Sequence, residues 1–206
     1  MVRKIATLLV VTALAGCSTV VEDAEDTFAP LGDFRLGHNI AIADNVVRGP
    51  FSRDFTELQL EKAVQDAVAA RLRRYDGDGL YHLGIVVGGM VLAQPGIPSV
   101  YAPSSVMIVD VTIFDNSTQS KLNQEPKRFQ VGEGLRNAVP VFGTGMVREA
   151  DQQLAFLAEN LAAQIEEWLQ ENPEWFIAKP DRPRVPFTVQ TPVPDIDEAR
   201  PADPVN

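Results

Sequence analysis

The chain has 206 residues, with 28 acidic against 18 basic side chains and a net charge of −10. An acidic balance of that size repels phosphate backbones and anionic headgroups, which argues against nucleic-acid binding. At 45% hydrophobic residues the chain can build a core, and its length fits one domain with tails.

Read from the start, residues 1–16 are predicted to be a signal peptide rather than part of the fold. Arg3 and Lys4 form a short positive region, and Ile5 to Leu14 form an apolar run broken only by Thr7 and Thr12. As a helix that run reaches roughly 15 Å, about half of a 30 Å hydrocarbon core. It is too short to span a bilayer, and its order of charge, apolar run and small residues is that of a secretory signal. Leu14-Ala15-Gly16-Cys17 resembles the lipobox of bacterial lipoproteins. In that class the cysteine thiol receives a diacylglyceryl group, the peptide is cut before it, and the new amine is acylated. The resemblance therefore implies cleavage between Gly16 and Cys17, with lipid on Cys17. Ser18 stands where an aspartate would resemble an inner-membrane retention signal. The expected address is the outer membrane of a Gram-negative bacterium, with the domain facing the periplasm. Three acyl chains suffice for stable attachment, since two membrane signals already do. Cys17 is the single cysteine, so once lipidated it leaves no thiol for a disulfide, a metal or a nucleophile. Cleavage removes Arg3 and Lys4 from the 18 basic residues and none of the 28 acidic ones, a balance of 16 minus 28, or −12.

Residues 17–33 carry Glu22, Asp23, Glu25 and Asp26 without a basic residue, and read as a lipidated acidic tether. Residues 34–178 read as the folded domain. Phe34 to Val47 is a plausible first strand, broken by Gly49-Pro50. Thr56-Glu57-Leu58-Gln59 is a capping box, and Leu60, Val64, Ala67, Val68, Leu72 and Tyr75 then share one helical face. Leu80 to Leu92 alternates as a long strand, with Gly84, Gly88 and Gly89 suggesting a bulge or the close approach of another backbone. A Pro-rich loop, Gln94 to Ser104, leads to a strand at Val106 to Phe114, and Lys121-Leu122 and Lys127 to Val131 read as a returning strand. Met146 to Glu171 is a second amphipathic helix, and Pro173 stops it. Residues 179–206 are Pro-rich and acidic, a composition that buries too little apolar surface to offset chain ordering, so they read as an extended tail.

The order β-α-β-β-β-α predicts an α+β two-layer sandwich, a mainly antiparallel sheet of about four strands with two amphipathic helices on one face. With the lipobox and the stretch "VDVTIFDNSTQSKL", this order resembles small envelope lipoproteins of proteobacteria, and loosely the auxiliary lipoproteins of envelope transport systems.

Chemical motifs are sparse. Asp76-Gly77-Asp78-Gly79 has the start of a calcium loop, but Leu80 and Val87 stand where an EF-hand needs ligands. The two histidines, His38 and His82, lie beside predicted strands without the converging ligands a metal needs. There is no Gly-x-Ser-x-Gly. Asp110 interrupts an apolar strand, and its parity points it to water if helices cover only one face. No catalytic residue, metal or cofactor is expected. Val100 and Tyr101, in the Pro-rich loop, are the candidate interaction residues. The expected role is a non-enzymatic scaffold or accessory subunit of an envelope assembly or transport system, membrane-bound through Cys17 and meeting an envelope protein partner. The alternative is a small apolar-ligand or lipid-binding module with a pocket between sheet and helices. Cys17→Ser is expected to abolish palmitate labelling and cleavage after Gly16; a variant still labelled or still cut there would overturn the lipoprotein reading.

Overall fold

The computed structural model describes residues 29–50, 52–94, 104–132 and 150–188. Strands β1 (Arg35–Ile42) and β2 (Val47–Arg48) precede helix α1 (Glu57–Leu72). Strands β3 (Leu80–Val91), β4 (Val106–Asp115), β5 (Ser120–Lys121) and β6 (Lys127–Gly132) follow, then helix α2 (Ala150–Gln170) and a 3₁₀ turn (Pro173–Phe176). The fold is mixed α+β with an open six-stranded sheet. The expectation of about four strands is corrected by β2 and β5, which at two residues each are too short to leave a period-two signature.

β3 pairs parallel with β1 and β2 on one side and antiparallel with β4 on the other; β4 in turn pairs antiparallel with β5 and β6. The sheet is thus antiparallel on one side of β3 and parallel on the other. A parallel neighbour requires a crossover, and α1 supplies it.

Local chemistry explains each long element. Gln59 N donates to Thr56 Oγ1 at 3.1 Å and Thr56 N donates to Gln59 Oε1 at 2.9 Å, so the capping box starts α1 as its sequence predicts. Leu60, Val64, Val68 and Leu72 then form a buried stripe. α2 buries Leu154, Leu157, Leu161, Ile165 and Trp168 in the same way. Both stripes meet the inward residues of β3 and β4, among them Leu83, Ile85, Val87, Val109 and Val111, in one core. Each fully buried Leu or Ile contributes about 1.5 to 3 kcal/mol. At one end of the sheet Phe34 stacks on Tyr81 at 5.5 Å and meets Phe176 edge-on at 5.1 Å. Ile177, beside Phe176, is exposed.

The helices are joined by a buried carboxylate. Glu166 on α2 accepts from Arg71 Nε at 2.7 Å, Arg74 Nη2 at 2.5 Å and Tyr75 Oη at 2.6 Å. Burial works against its ionisation, but the hydrogen bonds from Tyr75 and Arg74 and the charge of Arg71 win, and its pKa falls below the ordinary glutamate value. A depressed folded pKa contributes stability that is present above the unfolded pKa and lost as pH falls through the folded one. Glu166→Gln is therefore expected to cost about 2 to 3 kcal/mol at neutral pH, the worth of hydrogen bonds to a charged group. It should also flatten the loss of melting temperature as pH falls below about 5, read by circular dichroism. An unchanged acid slope would show that another group governs it.

Candidate functional site

The helices cover one face of the sheet, and His38, Ile40 and Ile42 of β1, the even-numbered residues of β3 from His82 to Gly88, and those of β4 line the other; past the register shift of β3 the parity changes, so that Gly89 and Val91 lie on the bare face and Met90 in the core. Successive rungs of paired residues build this bare face. Phe114 pairs with His82; Gly84 of β3 pairs with Thr112 on one side and Ile40 on the other, and Val86 with Asp110 and Ile42. Farther along, Gly89 pairs with Ile108 and Val47. Val47, Ile40 and Val86 are 70%, 55% and 49% exposed, and Ile42 and Ile108 are exposed as well. Single exposed hydrophobics are ordinary; contiguous ones on adjacent strands mark an interaction surface.

Glycine keeps this surface low. A Cβ added to Gly88 would meet nothing within 4 Å, and one on Gly84 would make only ordinary contact, with Phe114 Cε2 at 3.7 Å. Neither glycine is there because the core lacks room. The β3–β4 register shifts between Val87 and Gly89, the bulge that the glycines suggest. A trough of about 430 Å³ lies on this part of the face, with Val47, Gly88, Ile108 and Val106 in its lining. At its edge Arg128 Nε and Nη2 donate to the two oxygens of Asp110 at 2.9 and 2.8 Å. The hydrogen bonds from Arg128 outweigh the modest burial of Asp110 and lower its carboxyl pKa. Asp110 thus points away from the helices, as its parity requires. The trough ends at Val91 and Val106, from which the chain continues to Gln94 and Ser104. Val100 and Tyr101 lie outside the described residues, as do Gly16 and Cys17.

The predicted pocket between sheet and helices meets a different finding: Leu60, Val64, Ile85, Val109, Leu157 and Leu161 are buried together there. A second cleft, about 500 Å³, opens between α1 and α2, lined by Ala63, Ala67, Ala70 and Ala162 beside Arg71 and Arg74. Its two arginines are already bonded to Glu166. Among the described residues no group of three His, Cys, Asp or Glu could hold a metal, and no helix is long and apolar enough to cross a membrane.

The histidines do belong to the bare face. Their rings stack at 5.2 Å, His38 N donates to His82 Nδ1 at 2.9 Å, and His82 Nε2 lies 3.1 Å from Asn116 Oδ1. Accepting at Nδ1 and donating at Nε2 fixes the neutral tautomer of His82. The ring fits because residue 37 is glycine: a Cβ there would fall 2.5 Å from His82 Nδ1.

Both ends of the folded unit reach beyond the boundaries expected from sequence. Leu31, read as tether, is buried, and Asp33 N donates to Phe176 O at 2.8 Å. Residues 179–188, read as the start of an extended tail, form a strap against the domain. Arg182 is almost wholly buried, with Nη1 3.6 Å from Asp33 Oδ2 and Nη2 3.4 Å from Asp115 Oδ2. It also donates to Tyr81 Oη at 3.0 Å. Burial would raise the pKa of Asp115, but hydrogen bonds from Ser117 and the charge of Arg182 hold it below the usual carboxylate value. Arg184 bonds the carboxylates of Asp76 and Asp78 and the carbonyls of Asp76 and Gly77. The Asp-Gly-Asp-Gly loop therefore takes its positive charge from the chain itself. Its glycines are steric: a Cβ on Gly77 or Gly79 would fall 2.4 Å from Phe34 N or Asp33 O.

No protein-family model matches the chain, and no curated protein matches it. Solved structures with similar chain paths include a Caulobacter crescentus CB15 protein assigned as a lipoprotein. It is 16% identical with a TM-score of 0.38, covering 68% of this chain and 93% of that one. Protein XCC0632 from Xanthomonas campestris, of family DUF330, is 12% identical with a TM-score of 0.39, covering 70% and 91%. A minor lipoprotein from Acinetobacter baumannii is 12% identical with a TM-score of 0.30, covering 64% and 93%. These likenesses are too distant to bear on function.

A chain ending at Ala178 loses Arg182 and Arg184, and removing one partner of a buried ion pair costs on the order of 3 to 5 kcal/mol. It is expected to melt several degrees below a chain ending at Thr188, and Arg182→Ala should reproduce most of the drop. Equal melting temperatures would show that the strap contributes nothing to the fold.

Proposed function

We propose that the chain is a non-enzymatic lipoprotein of the bacterial envelope, held at the outer membrane through Cys17. Its domain faces the periplasm as a scaffold or accessory subunit of an envelope assembly or transport system. The signal-like start, the lipobox and the acidic tether support the anchoring. The bare face of the sheet carries the functional reading, because Val47, Val86 and Ile108 stand exposed around glycines that the core does not require. A flat apolar surface framed by one Arg–Asp pair suits a protein partner. An apolar centre supplies the area, and the charged rim gives orientation. Val100 and Tyr101 belong to the loop that leaves the same edge, and would add a second contact.

Val47→Asp and Ile108→Asp test the reading. Both side chains are exposed, so each change should leave stability within about 0.5 kcal/mol. From detergent extracts of the envelope, the unchanged protein is expected to retain a stoichiometric protein partner, and both variants to lose it. Glu159→Lys, on the helix side, should keep it. Retention by all three variants would move the docking surface elsewhere; retained lipid in place of protein would favour the ligand-binding alternative.

A further inference from the structure

The sheet ends in two different edges. On the β1 side, α1 closes part of the backbone: Ala43 N donates to Glu61 Oε1 at 2.9 Å, and Gln65 Nε2 donates to Ala41 O at 3.5 Å. On the other side β6 is the last strand, pairing with β4 and with no further strand among the described residues.

Two observations show which backbone groups of β6 face outward. Leu122 N donates to Ile113 O at 2.9 Å, while the Asn123 side chain accepts from Ile113 N at 2.9 Å and donates to Val111 O at 3.0 Å. The odd residues of β4 therefore turn their backbone groups toward β5 and β6. In the β4–β6 register they stand opposite Lys127, Phe129 and Val131, which hold the ladder. Arg128, Gln130 and Gly132 then point theirs the other way. Asn160 on α2 agrees with that direction, since its Nδ2 donates to Gly132 O at 3.2 Å. Among the described residues nothing bonds the backbone N–H or C=O of Arg128 or Gln130.

An open edge of this kind is a template for another strand. The residues of β6 select a second β6. When two copies run antiparallel about Gln130, each Gln130 faces its counterpart, Arg128 faces Gly132 and Phe129 faces Val131. The outward residues become the hydrogen-bonded pairs, each exchanging N–H and C=O. Gly132 O has two lone pairs, one for Asn160 and one for the incoming N–H. Phe129 and Val131 are buried on the helix side, so one apolar row continues into the next. Arg128 meets a residue without a side chain and keeps both bonds to Asp110. Centring the pair on Arg128 instead would set two guanidiniums side by side, and like charges directly opposite destabilise a sheet.

We propose that the chain forms a two-fold dimer through β6, the two sheets joining edge to edge about Gln130. The bare faces then lie side by side, and the trough lined by Val47 and Ile108 stays open on each copy.

Cysteine cross-linking of the full chain, purified in detergent and oxidised with copper phenanthroline, tests the register. Residues facing each other in such a pair have Cα atoms about 5.5 Å apart, within disulfide reach. Gln130→Cys is expected to give a covalent dimer. Lys127→Cys, with its two copies roughly 20 Å apart along the strands, should not, nor should the unsubstituted protein. Gln130→Pro removes an outward N–H and leaves the β4 ladder intact, a place where an edge strand tolerates proline. It should keep its circular-dichroism spectrum while its mass by sedimentation equilibrium, in density-matched detergent, falls from dimer to monomer. The proposal is overturned if the unsubstituted protein sediments as anything but a dimer, or if Lys127→Cys cross-links as well as Gln130→Cys. A Gln130→Pro chain that stays dimeric would overturn it too, and one that unfolds would show that Gln130 does not face outward. All readouts use the purified protein alone, so they are independent of any envelope partner.

Discussion

Both helices pack against one face of the sheet, so the apolar residues of that face are buried, whereas among the described residues Ile40, Ile42, Val47, Val86 and Ile108 of the other stand exposed. Most of what distinguishes the molecule follows from this asymmetry. The covered face is filled with leucine, isoleucine and valine and owes its geometry to ordinary packing. The bare face is managed differently along its length. The histidine pair and Phe187 occupy one end, Asp110 and Arg128 neutralise each other at the β4–β6 border, and glycine removes side chains from the middle of β3. A sheet surface left wet by accident has no reason to combine exposed isoleucine and valine with glycine on adjacent strands.

Charge inside the fold is handled by pairing at two places, and both join distant parts of the chain. Glu166 is bonded by Arg71 at the end of α1 and by Arg74 and Tyr75 just beyond it, so α2 cannot separate from that end of α1 without stranding a carboxylate in a buried setting. Arg182 lies close to both Asp33 and Asp115, and so connects the chain's entry into the domain with its exit. Removing either group leaves opposite charges behind, which is why a single residue can matter more than its own contact area.

What could be read from sequence was what local spacing encodes. The capping box at Thr56 and the alternation of β3 and β4 involve neighbours a few residues apart, and the parity of Asp110 follows from the same alternation. Pairings across the chain left no such trace. Arg182 looks like any basic residue of a Pro-rich tail, and its meaning appears only when Asp115, 67 residues earlier, comes beside it. The same holds for Arg184 and the Asp76 loop, where composition alone suggested a solvated tail. β1 lies parallel to β3 because a helix intervenes, and the sequence patterns do not specify which strands become neighbours. The bare face was partly legible, through the glycines of β3, but its apolar row needed the register to assemble Ile40, Val86 and Ile108.

The meeting of Asp33 and Arg182 also gives the domain a direction. β3 starts beside this junction and runs 12 residues before reaching the edge from which the 95–103 loop departs, a length of roughly 40 Å. On the proposed anchoring, the tether enters at the near end of that axis and the loop leaves at the far end. The bilayer and any second envelope component would then address opposite poles of a molecule about one strand long, with the apolar trough opening toward the pole farther from the lipid.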